Sequence, residues 1–368
     1  MPEDSQPEMR MTSSNPPRTE APGFQQLFAR LARGEHLSVQ EAEDLFTAIM
    51  EGRASPVQVA AVLVGLRVRG ETSAELAGAV RALGRAMIPV PVSDGSPVLD
   101  TCGTGGGSLT TFNISTAAAF IAAGAGVRIA KHGNRSFTSR SGSADVLEAL
   151  GVVIDLTPEA MAQVLDEAGI VFMFAPLLHP AMRHVAPVRR ELALPTIMNL
   201  LGPLTNPAGA RLQVIGVSDP ALIDLVAGAL LELGHDRALV VHGEPGLDEV
   251  SPLGPSDVVE LKDGALRRFR FDPAALANGT GIDAEGLQGG APEENARIIE
   301  DILAGRRGGA ARFAVTLNAG AALYVAGRVE SIEDGFAEAE RIVDSGAAYD
   351  ALRKLRDASR RVADTRKG

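Results

Sequence analysis

From Val98 onward, short β-rich runs alternate with helical segments, and this alternation constrains the fold more than any other feature of the chain. The runs lie at Val98–Asp100, Val127–Ala130, Val152–Leu156, Ile170–Phe174, Leu212–Val217 and Ala238–His242. Such a pattern predicts a mostly parallel central sheet with crossover helices. Thr157-Pro158-Glu159 and Asp219-Pro220 read as helix starts. Lys262-Asp263-Gly264 reads as the turn of a hairpin joining Val258–Leu261 to Arg267–Phe271. Long helices are expected from about Glu293 to Arg361.

Before Pro97 no strand pattern occurs. Phe24, Leu27, Phe28 and Leu31 fall on one helical face, Gly34 closes that segment, and Ser38 with Glu41 has capping-box spacing. Ser55-Pro56 and Ser73 start two further helices. Residues 1–22 are rich in Pro, Ser, Glu and Gln and carry too little apolar surface to offset their ordering entropy, so they read as a disordered tail. The expected organisation is α/β: a small N-terminal all-helical domain over 23–92 hinged to a large α/β domain over 93–368. The Pro-punctuated stretch from Pro180 to Pro207 interrupts the alternation and is expected to fold back onto the helical unit.

Composition narrows the function. The 368 residues are 45% hydrophobic and 22% charged, ample for a core, and carry a net charge of −11. An acidic chain without clustered basic charge is a poor partner for nucleic acid or anionic membranes. There is no Trp, so no strong stacking platform for single-stranded nucleic acid. A single cysteine, Cys102, excludes an intrachain disulfide and fits a reducing compartment, and no apolar run is long enough for a membrane span. The chain is expected to be cytoplasmic, and local basic clusters can still bind one small anion.

Ligands of open α/β sheets bind beyond the carboxyl ends of the strands. Four segments converge there: Gly103–Gly107, Lys131–Arg135, Phe174–His179 and Gly243–Glu249. The glycine loop alone argues no more for phosphate than for a structural turn. It opens, however, into a hydroxyl-rich helix start with Thr111, Asn113, Ser115 and Thr116, where free N–H groups favour an anion; helix capping is the plainer reading of those side chains. Lys131 adds positive charge, and Ser139, Ser141 and Ser143 add donors. Asp248-Glu249 is a solvated turn in isolation; facing a phosphate site, it becomes a pair suited to Mg²⁺. Arg189, if it overhangs the cleft, can clamp a planar carboxylate.

The motifs GTGGGSLTTFNIST, KHGNRSFTSRSGSAD, FAPLLHPAMRHVAPVRRELALPTIMNLLGPLTNPAGA, LDEV, APEENARIIEDIL and AVTLNAGAALYVAG, in this order, resemble the successive signatures of the anthranilate phosphoribosyltransferases. The resemblance covers about Phe24 to Leu355. It implies a Mg²⁺-dependent homodimer, paired through its helical domain, that moves the phosphoribosyl group of phosphoribosyl pyrophosphate to anthranilate in tryptophan biosynthesis. Carried over position by position, it assigns the donor to Gly103, Gly106, Thr111, Asn113, Ile114, Ser115, Thr116, Lys131, His132, Gly133, Asn134, Arg135, Ser136, Phe137, Thr138, Ser139 and Ser143. Ser115 would hold one Mg²⁺, and Asp248 with Glu249 a second. Gly103, Asn134, His179 and Arg189 would line the anthranilate path, with Lys131 and Arg189 as the catalytic side chains. One departure stands out: the family pattern GTGGDG places Asp where this chain has Gly107, followed by Ser108. Two rivals are weaker. A pyrimidine nucleoside phosphorylase would need no paired metal-holding carboxylates, and a non-catalytic nucleic-acid-binding relative sits badly with the acidic charge.

Overall fold

The computed structural model describes residues 23–92, 94–136, 140–277 and 281–365. The expected tail and the candidate residues Phe137, Thr138 and Ser139 lie outside these.

The chain starts with four helices, α1 (Phe24–Ala32), α2 (Val39–Met50), α3 (Pro56–Arg69) and α4 (Ser73–Ala86). Capping boxes fix three of their starts: Ser38 with Glu41, Ser55 with Gln58, and Thr72 with Glu75. The last starts at Ser73 as expected, capped by Thr72, whose hydroxyl accepts the Glu75 N–H.

The α/β part follows, with β1 (Leu99–Gly103), α5 (Ile114–Gly124), β2 (Ile129–Gly133), α6 (Ser143–Ala149), α7 (Pro158–Ala168) and β3 (Ile170–Phe174). The short helix α8 (Ala175–Leu178) then leads into the Pro-punctuated stretch, which carries α9 (Ala186–Leu192) and α10 (Met198–Leu204). After them come β4 (Leu212–Gly216), α11 (Ile223–Glu232), β5 (Arg237–Gly243), β6 (Ser256–Lys262) and β7 (Ala265–Phe271). The chain closes on α12 (Pro292–Leu303), α13 (Gly309–Val325), α14 (Ile332–Asp344) and α15 (Ala347–Thr365).

The seven strands form one sheet in the order β3-β2-β1-β4-β5-β6-β7, parallel from β3 to β5 and antiparallel beyond. Asp263 and Gly264, both at positive φ, make the expected two-residue turn between β6 and β7. Val152–Leu156 is not a strand. Val152, Ile154 and Leu156 are buried in alternation, as in a strand, but the Val153 N–H is taken by the Ser359 hydroxyl of α15 at 3.1 Å rather than by a neighbouring strand. Period-2 burial reports an extended chain, not a ladder.

Strand side chains alternate between two cores. In β5, Leu239 and Val241 face a core made with α5, α7 and the C-terminal helices; Ala238 and Val240 face a second core. That second core also holds Leu45, Phe46, Leu63 and Leu66 of the N-terminal helices and Val185, Val188, Met198 and Leu201 of the Pro-punctuated stretch. Each fully buried Leu, Ile or Phe contributes about 1.5–3 kcal/mol relative to exposure. The stretch carrying Arg189 is therefore held by the helical bundle and one face of the sheet together. Among the described residues no helix is long and apolar enough to cross a membrane.

Candidate active site

The chain runs from β1 outward through β2 to β3, then returns to place β4 on the other side of β1. The connections leave β1 and β4 in opposite directions, which opens a crevice at their carboxyl ends, the usual ligand position in such sheets. The glycine loop leaves β1 there, and the segment after β5 folds down over it. The close approach requires glycine. A methyl carbon on Gly103 would lie 2.1 Å from Asp248 Oδ2, and one on Gly216 would lie 1.4 Å from the Asp248 carbonyl oxygen. Asp248 is thus seated across the ends of β1 and β4.

The loop is stitched to this segment. The Gly105 N–H donates to Asp248 Oδ2 at 2.8 Å, the Ser108 N–H to the Gly246 carbonyl at 3.0 Å, and the Ser108 hydroxyl to the Pro245 carbonyl at 3.0 Å. Ser218, just after β4, donates its hydroxyl to the Gly105 carbonyl at 2.9 Å. Gly107 and Ser108, the departure from the family pattern, therefore form part of a hydrogen-bonded clasp. A Cβ at position 107 would stand 3.6 Å from Asp248 Oδ1, so a carboxylate there would add like charge beside Asp248.

Beneath the loop, Asp248, Glu249, Ser115, Cys102 and Asn318 line a cavity of about 10 Å³. Glu249 Oε2 is buried without a hydrogen-bond partner among the described residues. Burial first, and then the neighbouring Asp248 charge, raise the Glu249 carboxyl well above the usual carboxylate range, while Lys131 opposes the shift. Burial likewise raises Asp248, countered by the Gly105 N–H. Two desolvated carboxylates, one with an orphaned oxygen, are a donor set that a hard divalent ion satisfies. Among the described residues no three His, Cys, Asp or Glu side chains gather into a metal cluster. A Mg²⁺ ion that keeps waters and phosphate oxygens needs only one or two carboxylates.

Helix α5 starts without a side-chain cap on Asn113, so the plain capping explanation of its polar residues does not hold. The Asn113 amide instead donates to the Ser141 carbonyl at 3.1 Å and accepts from the Asn295 amide at 3.1 Å. Ile114 and Thr116 are 0% and 1% exposed, which leaves their backbone, not their side chains, for a ligand. The Ser115 carbonyl accepts from the Thr101 hydroxyl at 3.1 Å. Thr111 bridges to Gln288.

Lys131 is buried. Its ammonium donates to the Thr101 carbonyl and lies 3.5 Å from the Ser115 hydroxyl; burial lowers its pKa against the pull of Asp100. The charge sits behind the helix start rather than in open cleft. Asp100, fully buried, is pushed up to about 6 by burial despite Lys131, and accepts from Asn206 at 2.8 Å. Arg135 turns away toward α6, paired with Asp145 and Glu148 and stacked on Phe174. Asp145 also receives the Ser136 and Gly142 N–H groups. The Asn134 side chain accepts the Arg135 N–H, and the Asn134 carbonyl takes the Ser143 hydroxyl at 3.3 Å. A Cβ on Gly133 would collide with Ser143 and Phe172; Gly106 stays exposed at positive φ on the loop.

The remaining expected site residues sit on other elements. Arg189 of α9 is half-buried, and among the described residues it makes no ion pair; burial lowers its pKa. His132, at the end of β2, and His179, after α8, are both buried, with Nε2 atoms 3.1 Å apart. Sequence reasoning does not single out Asn206, Asn295, Asn318 or Ser218. Asn318 is findable as an amide in the apolar run AVTLNAGAALYV: it binds both the N–H and the carbonyl of Val250, pinning the segment that carries Glu249.

With this geometry in view, the likenesses to known proteins are specific. Residues 25–87 match the Glycosyl transferase family, helical bundle domain, and residues 95–349 the Glycosyl transferase family, a/b domain. The chain is 52% identical over 334 residues to an anthranilate phosphoribosyltransferase of Rubrobacter xylanophilus, covering 91% of this chain and 97% of that one. It is 49% identical over 338 residues to that of Thermomicrobium roseum, with the same coverages. The crystal structure of anthranilate phosphoribosyltransferase from Thermus thermophilus superposes with a TM-score of 0.84 at 44% identity, over 91% of this chain and 99% of that one. The Saccharomyces cerevisiae enzyme in complex with PRPP and Mg superposes with a TM-score of 0.81 at 26% identity, over 91% of this chain and 97% of that one. A helical bundle joined to a mostly parallel α/β sheet, a clasped glycine loop at the strand ends and this degree of identity agree: the chain belongs to the anthranilate phosphoribosyltransferase family.

Proposed function

We propose that this chain transfers the phosphoribosyl group of phosphoribosyl pyrophosphate to the amine of anthranilate, releasing pyrophosphate. The observation that carries the reading is the seating of Asp248 and Glu249 against the glycine loop at the β1–β4 crevice. In this reading the pyrophosphate lies over the N–H groups of the loop and of the uncapped start of α5. Asp248, Glu249 and the Ser115 hydroxyl would hold two Mg²⁺ ions, whose chemistry there would be to neutralise negative charge on the leaving group. Gly103, Gly106 and the 131–143 segment, including Phe137–Ser139, complete the donor contacts. Arg135, already paired, contributes by fixing that segment.

The nucleophile is an aromatic amine, neutral near pH 7, so no base has to act before attack. Arg189, unpaired and desolvated, takes the anthranilate carboxylate and orients the amine; Asn134, His179 and Gly103 line its approach. Lys131 acts from behind, with its charge fixed against Thr101 and Ser115, as preorganised electrostatic support. The helical unit of residues 23–92 with the 180–207 stretch, and the body of residues 93–368, close as two lobes and exclude water from the donor. The working unit is a homodimer in the cytoplasm. Its surface is the outer face of α3, where Val57 and Val68, 78% and 82% exposed, continue a stripe with Ala61 and Val64.

The test is the loss of anthranilate fluorescence in the presence of phosphoribosyl pyrophosphate and Mg²⁺. Turnover that requires all three is expected; absence of turnover under saturating substrates rejects the reading.

A further inference from the structure

The start of α5 is held by a segment far along the chain. Residues 287–289 run antiparallel beside 110–112: the Phe112 N–H donates to the Leu287 carbonyl at 3.1 Å, the Gly289 N–H to the Thr110 carbonyl at 3.1 Å, and Thr111 bridges to Gln288. Only glycine fits this approach, since a Cβ on Gly289 would lie 2.5 Å from the Thr111 carbonyl oxygen. The pairing delivers Asn295 of α12, 2% exposed, to the side chain of Asn113. The amide orientations then follow in one order. The Gly290 N–H can only donate, so the atom it meets at 2.7 Å is Asn295 Oδ1. The Asn295 NH₂ therefore faces Asn113, and the atom that accepts it at 3.1 Å is Asn113 Oδ1, which also takes the Ser141 hydroxyl at 3.5 Å. The Asn113 NH₂ is left turned toward the Ser141 carbonyl, which can only accept, at 3.1 Å. That bond uses one of its two hydrogens. The other has no acceptor among the described residues, and Asn113 is half-buried at the head of α5.

We propose that Asn295 is a positioning residue for the donor substrate: the chain Gly290–Asn295–Asn113–Ser141 fixes the Asn113 amide so that its remaining N–H donates to a phosphate oxygen, while Asn295 itself never touches the ligand. This deepens the proposed function and rests on it. The same chain ties the start of α5 to the segment 134–143, so two stretches assigned to the donor hold one relative placement before it arrives. Orientation is what Asn295 supplies. Were the Asn113 amide turned over, its oxygen would face the Ser141 carbonyl and the phosphate, both acceptors, and repel them. An N–H already aimed costs no reorganisation when the anion binds, and each buried amide in the chain polarises the next.

Calorimetry with phosphoribosyl pyrophosphate and Mg²⁺ tests the role. Asn295→Asp keeps the shape and the acceptor for Gly290 but has no NH₂ to offer, so Asn113 must turn its own NH₂ toward position 295 and its oxygen toward Ser141 and the ligand. Donor affinity should fall about tenfold, the loss of one hydrogen bond to a charged group, with the KM for anthranilate unchanged within about twofold. A double-mutant cycle separates positioning from packing: Asn295→Ala added to Asn113→Ala should weaken donor binding no further, because Asn295 acts only through Asn113. Additive losses, or equal weakening of both substrates, would make Asn295 a packing residue and overturn the proposal. Nitrogen-15 NMR of the unaltered full chain reads the orientation without any substitution. Before ligand is added, one Asn113 side-chain hydrogen should be protected from exchange with water and the other not, and only the second should move on adding inorganic pyrophosphate with Mg²⁺. Equal exchange of the two hydrogens, or movement of the protected one, overturns the proposal as well. Absence of phosphoribosyl pyrophosphate binding by the unaltered chain would reject the function and leave the protected Asn113 hydrogen standing, so the two failures are distinguishable.

Discussion

The two groups of residues assigned to the proposed site are built by different means. On the proposed donor half, the glycine loop is already bonded to its surroundings: Gly105 to Asp248, Ser108 to Pro245 and Gly246, Ser218 to Gly105. On the proposed acceptor half, among the described residues, Arg189 has no ion pair and His179 Nδ1 has no hydrogen-bond partner. Backbone groups on the rim of a rigid sheet make the first half, whereas single side chains on short helices packed against the N-terminal bundle make the second. A preformed cradle suits a highly charged ligand that needs many aligned N–H groups. Side chains without partners among the described residues suit a small planar ligand.

If the donor half depends on its desolvated carboxylates, replacing both Asp248 and Glu249 with Ala has the largest effect. A loss of about 10³-fold in Mg²⁺-dependent turnover is expected, since an ion at a developing charge contributes several kcal/mol. Steady-state kinetics over a Mg²⁺ series measures it, and unchanged metal dependence would break the assignment of these residues. Arg189→Ala tests the other half. The KM for anthranilate should rise by about 10–100-fold, the range for charge-assisted hydrogen bonds, while affinity for phosphoribosyl pyrophosphate, read by calorimetry, stays unchanged. Equal loss of both would merge the two halves into one.

The acceptor half should also show in the pH dependence of stability. Burial depresses His132 to about 3 and His179 to about 4, and His235 shifts the same way to about 4. Groups that bind fewer protons folded than unfolded lose stability as pH falls from the unfolded value near 6.5 toward 4. Asp100, raised to about 6, works in the opposite sense: its folded state binds more protons between about 4 and 6, so acidification favours it. Asp248 and Glu249, also raised by burial, add to that opposing sense, so the histidine contribution is read as a difference between variants. Denaturant midpoints at pH 7 and pH 5 measure it: His179→Phe is expected to lose less stability on acidification than the unaltered chain, and an identical loss would contradict a neutral, buried His179. The smallest effect is expected at Ser108. Ser108→Gly removes one exposed hydroxyl bond of the clasp, worth about 0.5–1 kcal/mol. On that scale donor KM should rise about two- to fivefold with anthranilate KM unchanged, and Ser108→Thr should restore it.

These differences also explain what the sequence could reveal. Capping boxes, the Asp263-Gly264 turn, the strand alternation and the glycine loop are local, since their physics is contained within a few consecutive residues. Val152–Leu156 misleads because alternation of burial is shared by ladders and by extended segments packed on a helix. The site is legible as a set of segments at strand ends, but not as a set of contacts. The Nε2 contact between His132 and His179 spans 47 positions, and the bond from Gly105 to Asp248 spans 143. Nor does spacing show that Lys131 points inward, or that Arg135 is already claimed by Asp145 and Glu148. Such facts follow from sheet order, which puts β1 between β2 and β4.

Two half-sites that act together must couple their products. Pyrophosphate release measured against anthranilate consumption, in the same reaction with phosphoribosyl pyrophosphate and Mg²⁺, tests this most directly. One pyrophosphate per anthranilate consumed, with negligible release when anthranilate is omitted, is the predicted result. Rapid pyrophosphate release without anthranilate, or none with it, would contradict a water-excluding cleft that joins the two halves.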